Sequence, residues 1–102
     1  MDKNNKKREP QNAKEDIKEE SSKIIESFEK YLKAEKNFSK HTLRAYLKDI
    51  IDFAIFLQNK QRNFIDTNKH NIREFLENLN RRNISKTSVA RKFSALRTFY
   101  KF

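Results

Sequence analysis

Ser39-Lys40-His41-Thr42-Leu43-Arg44-Ala45-Tyr46-Leu47-Lys48-Asp49-Ile50-Ile51-Asp52-Phe53-Ala54-Ile55-Phe56-Leu57 is the most strongly patterned stretch of the chain. Leu43, Tyr46, Leu47, Ile50, Phe53, Ala54 and Leu57 recur at helical spacing and share one broad apolar face, so the stretch predicts a long amphipathic helix. Ser39 stands just ahead of it, where a hydroxyl oxygen accepts an otherwise unpaired backbone N–H.

Three further segments carry the same period. One runs from Ile17 or Ser22 to Lys36 around Ile24, Ile25, Phe28, Tyr31 and Leu32, with Ser21 or Ser22 as its expected cap. Another runs from Lys69 to Arg82 with Ile72, Phe75, Leu76 and Leu79 inward. The last opens at a capping Ser85 and continues to Phe102; Val89, Phe93, Leu96 and Tyr100, at gaps of four, three and four, are its expected core face. Gln58 to Asn68 breaks the period, and Phe64 and Ile65 are expected to anchor that loop on the core. No internal repeat and no strand-like alternation competes, so the fold class is all-α, a small four-helix bundle. Residues 1 to 16 offer only Met1 and Ala13 as apolar side chains, too few to offset ordering entropy, and predict a disordered N-terminal tail. The tail is drawn over residues 1–20 and the folded domain over 21–102. No helix-ending signal precedes Phe102, which predicts a piece of a longer reading frame.

Composition narrows the chemistry. The 102 residues contain no Cys, which excludes disulfide scaffolds, thiol nucleophiles and Cys-ligated metals, and no Gly, which excludes phosphate-cradling glycine loops. His41 and His70 read as surface or cap-region residues rather than metal ligands, and no metal or cofactor is expected. Tyr31, Tyr46 and Tyr100 fall on apolar stripes and read as core, not as nucleophiles. Asp49 and Asp52, three apart, are expected to balance Lys48 and Arg44 or to cap the packing of another helix. Without a bilayer-length apolar run or a signal-peptide core, a soluble, cytoplasmic protein is expected.

Charge points to a polyanion. Lys and Arg number 24 against 14 Asp and Glu, a net charge of +10. Residues 1–36 hold ten basic and nine acidic side chains, whereas residues 37–102 hold fourteen and five. No acid follows Glu77, while Arg81, Arg82, Lys86, Arg91, Lys92, Arg97 and Lys101 do. With Val89 at the centre of the core face, the far side of the last helix carries Thr87, Arg91, Ser94, Ala95 and Thr98, small or hydroxyl side chains that permit close approach to a surface. In the long helix the corresponding side holds His41, Ala45 and Lys48, flanked by Thr42 and Arg44. Two such faces suit one major groove of duplex DNA.

Phe28 to Leu32, the Ser39-x-x-Thr42-Leu43-x-x-Tyr46-x-x-Asp49 element, Ile72 to Leu76 and Ser85 to Tyr100 together resemble the core-binding domain that opens tyrosine recombinases of the phage-integrase and Xer-like group. The resemblance covers about residues 22–102 and implies a SAM-like orthogonal bundle whose second and fourth helices contact the major groove. Carried over by position, Lys40, Thr42, Arg44 and Lys48 would meet DNA from one helix, and Ser85, Lys86, Thr87, Arg91, Lys92 and Arg97 from the other. Family catalysis uses an Arg, Lys, His, Arg, His set and a tyrosine in a separate C-terminal domain absent from this chain, so the chain itself is expected to be no enzyme. The expected function is to clamp DNA and position that catalytic domain for integration or recombination. The implied partners are double-stranded DNA, the parent's C-terminal catalytic domain and other recombinase protomers, with the isolated chain a monomer. The alternative is a helical module docking an acidic protein partner; a membrane-surface role fits least, because the apolar stripes are needed to close the bundle.

Overall fold

The computed structural model describes residues 17–102, which form four helices and no strand: α1 (Glu19–Ala34), α2 (Lys40–Asn59), α3 (Lys69–Arg81) and α4 (Lys86–Lys101). The tail expected over residues 1–16 lies outside the described residues. The boundary drawn at residue 21 falls inside α1, because Ile17 already packs on the core and the Lys18 backbone N–H donates to Gln58 Oε1 at 2.8 Å. Ser21 and Ser22 are therefore not caps. Lys18 occupies that position without a side-chain bond, Ser21 is buried within the helix, and Glu19 and Glu20 complement the helix dipole instead.

The other three starts are capped by side chains. Ser39 accepts from the Thr42 N–H and Ser85 from the Ser88 N–H, while Asn68 and Asn71 exchange reciprocal bonds in a capping box. The ends are managed without glycine: Asn37, Gln61 and Asn83 take left-handed φ values of 52°, 59° and 58°. At Gln61 and Asn83 this makes Schellman turns, in which Arg62 N–H reaches Leu57 O at 2.8 Å and Ile84 N–H reaches Leu79 O at 3.1 Å.

Long α2 runs through the middle and packs on each of the other helices. The core is aromatic: Phe28, Phe53 and Phe75 are fully buried, with Phe28 edge-on to Phe99 at 5.0 Å, Phe53 edge-on to Phe75 at 5.0 Å, and Phe64 tilted on Phe99 at 4.6 Å. Half of the loop-anchor expectation holds. Asn63 Oδ1 accepts from the Ile65 and Asp66 N–H groups, and the resulting turn sends Phe64 inward and leaves Ile65 84% exposed.

The largest departure is the orientation of α4. Its buried residues are Lys92, Ala95, Leu96 and Phe99, whereas Phe93 and Tyr100 are exposed. Relative to the face centred on Val89, the helix is turned by roughly 80°, taking about 100° per residue. Ala95, expected to face outward, is wholly buried. No helix among the described residues is long and apolar enough to cross a membrane.

Candidate nucleic-acid interface

The turn of α4 follows from a carboxylate. Asp49 lies on the α2 face that meets α4 and is 1% exposed, so its charge must be matched. Arg91 supplies a bidentate pair, Nε to Oδ2 at 2.8 Å and Nη2 to Oδ1 at 2.9 Å, and the buried Lys92 Nζ donates to Oδ1 at 2.9 Å. Lys92 Nζ also lies 3.4 Å from Asp52 Oδ2, a buried oxygen with no hydrogen bond, and Arg82 Nη1 lies 3.5 Å from Asp52 Oδ1. The hydrogen bond to Asp49 raises the Arg91 pKa above its ordinary value, against the opposing effect of burial. Asp49 and Asp52 thus tie α2 to α4 and to the turn before α4; of the two expected roles this is packing against another helix, and Lys48 and Arg44 are not in this network.

Contacts along the seam descend α4 as they ascend α2. Tyr46 shares a polar groove of about 280 Å³ with Ser94, Arg97, Thr98 and Lys101, closed by Tyr31 and Lys36 from the end of α1. Asp49 bonds Arg91 and Lys92, and Lys48 and Ile55 share a second concavity with Ser88 and Arg82. The helices therefore pass in opposite senses. Lys40, Thr42 and Arg44 stand toward the Arg97 end of the seam, and Ser85, Lys86 and Thr87 toward the other.

Of the ten residues singled out in the sequence, Lys40, Thr42, Arg44, Lys48, Ser85, Lys86, Thr87 and Arg97 are exposed. Thr42 and Ser85 also serve the helix caps, since Ser39 Oγ donates to Thr42 Oγ1 at 3.1 Å and Ser85 Oγ accepts at 3.2 Å from Ser88. The Arg91 side chain is 40% exposed and half committed to Asp49. Lys92 is the correction: it points inward and is taken by Asp49 and Asp52, so it offers water or a ligand almost nothing. Lys36 and Lys101 join the groove although neither is among those ten; Lys101 closes α4 and Lys36 lies just past the end of α1, where a helical wheel says least. Every exposed charge along α4 is positive, and both acids of α2 are turned toward protein partners.

His41 is exposed on the first turn of α2, and His70 lies in the open, 3.5 Å from Glu74 one turn on. No group of three metal-binding side chains occurs among the described residues. On the α3 side of α4, Ile72, Leu76, Phe93 and Tyr100 line an apolar cleft between α3 and α4, with Lys69, Arg73 and Arg97 around it; Arg97 also borders the polar groove.

Comparison with known proteins places the sequence. Residues 25–102 match the family described as phage integrase, N-terminal SAM-like domain. Tyrosine recombinase XerC of Staphylococcus aureus strain JH9 is 40% identical over 79 residues, covering 78% of this chain and 26% of the relative. The same protein of strain N315 gives the same figures. The chain spans about a quarter of the length of these curated relatives. No solved structure matches.

Proposed function

The chain belongs to the phage-integrase N-terminal SAM-like domain family of tyrosine recombinases and integrases, and we propose that it holds duplex DNA along the α2–α4 seam and so positions a separate catalytic domain of its parent. The observation that carries this reading is the sign of the seam. Lys40, Arg44 and Lys48 from α2 and Lys86, Arg97 and Lys101 from α4 are exposed, while Asp49 and Asp52 are held against internal cations. A surface that withdraws its acids and exposes its bases attracts phosphates and releases their counterions. Exposed Thr87 and Ser94 between the cations allow a backbone or base edge to come close.

In this reading the chain performs no bond breaking itself. It restricts where the parent's nucleophile meets the phosphate, and other protomers and the catalytic domain complete the assembly. With four to six phosphates neutralised, log affinity falls against log salt with a slope of about −4 to −5. Titration of a labelled duplex at several salt concentrations checks this; a flat response overturns the reading.

One observation favours the other reading, docking of an acidic protein partner: the apolar α3–α4 cleft bordered by Lys69, Arg73 and Arg97. Duplex that perturbs none of the seam residues, with an acidic peptide perturbing the cleft, would favour it.

A further inference from the structure

Lys92 and Arg91 present the same carboxylate with more cation than it needs. Lys92 Nζ, buried at 2.9 Å from Asp49 Oδ1, already neutralises it, yet Arg91 adds a second, bidentate pair. Three cations, Arg82, Arg91 and Lys92, thus surround two carboxylates, Asp49 and Asp52, leaving one positive charge over. Lys92 is enclosed, so that excess faces outward through Arg82 and Arg91, and of these two only Arg91 lies on α4.

The geometry specifies which part of Arg91 remains. A guanidinium has five N–H donors, and Asp49 engages those of Nε and one of Nη2. Among the described residues Nη1 makes no hydrogen bond, so the end-on fork formed by Nη1 and the second Nη2 proton is left over. The fork belongs to a side chain 40% exposed, lining the same concavity as Lys48 and Ser88. An end-on guanidinium fork matches the O6 and N7 acceptors of guanine in the major groove. Fixing it beforehand removes rotamer freedom that binding would otherwise have to freeze.

Resting on the DNA-binding reading above, we propose that Asp49 is a positioning residue that presents the Arg91 fork to a base edge, making the Asp49–Arg91 pair the element of this domain that reads sequence. Exposed Lys40, Lys48 and Lys86 then supply affinity without preference.

The test is selection from a pool of short randomised duplexes, using the full chain and its Asp49→Asn and Arg91→Lys variants, with each fold checked by circular dichroism. Wild type is expected to enrich a guanine at one position. Arg91→Lys keeps the charge and loses the fork, and Asp49→Asn keeps Arg91 and loosens its hold. Each is expected to flatten the preference at that same position by about tenfold or more, with the salt slope unchanged within about one phosphate. If Asp49→Asn does not fold, Arg91→Lys decides alone. Uniform weakening with the preference intact overturns the proposal and marks Asp49 as purely structural, as does wild-type binding with no preference, which still leaves the seam a DNA-binding surface. No wild-type binding to any duplex removes the DNA reading itself, and this inference with it.

Discussion

Lys92 differs from the other cations of α4 in facing protein on every side, between Asp49 and Asp52. Removing one member of such a group leaves its partner buried and uncompensated. Asp49→Ala should cost about 3–5 kcal/mol in urea denaturation, whereas Lys48→Ala, at an exposed site outside the network, should change stability by less than about 0.5 kcal/mol. Tyr100 offers a pH-dependent test. Although the residue is exposed overall, its hydroxyl end is part-buried and donates to Phe64 O at 3.1 Å, and this partial burial raises its pKa above the ordinary 10.0. The unfolded chain therefore releases the phenolic proton first, so this residue's contribution is complete below about pH 10 and is lost as pH rises through the higher folded value. Tyr100→Phe should be less stable by about 0.5–1.5 kcal/mol at pH 7. In thermal melts the gap to wild type should narrow above about pH 10.

At the level of the elements, the sequence showed which segments are helical more clearly than how they are rotated. Ser39 and Ser85 were readable as caps because a hydroxyl before a periodic apolar run has a local job, and both perform it. Asn68→Ala, which removes a capping box, should cost about 1 kcal/mol of unfolding free energy by the same urea assay. The face of α4 was not readable from its own residues. Val89, Phe93, Leu96 and Tyr100 form one consistent stripe and Lys92, Ala95, Leu96 and Phe99 another; a lysine inside the second argues against it unless a carboxylate waits one helix away. The signal was present in α2, where Asp49 sits beside Ile50 and Phe53 on the inward side. Pairing that acid with consecutive Arg91 and Lys92 required knowing that the two helices meet.

Across the whole molecule, Lys48 and Arg44 of α2 were legible because they oppose or flank an unambiguous apolar face, whereas Lys40 was reached only through the resemblance. The antiparallel seam was not, since tertiary packing sets it. That arrangement spreads the cations from Arg44 and Arg97 at one end to Lys86 at the other, so Arg44→Ala and Arg97→Ala should each weaken binding to all duplex sequences alike and lower the magnitude of the salt slope by about one. The apolar α3–α4 cleft shares Arg97 with this seam, and its α3 side, Ile72 and Leu76, should be unaffected by DNA. The most direct measurement is amide chemical-shift mapping of the full chain titrated with duplex DNA. Perturbations gathered on Lys40 to Lys48 and Ser85 to Thr98, with the Ile72 and Leu76 side of α3 silent, are the predicted result. Shifts scattered over the surface, concentrated on α3, or absent would contradict it.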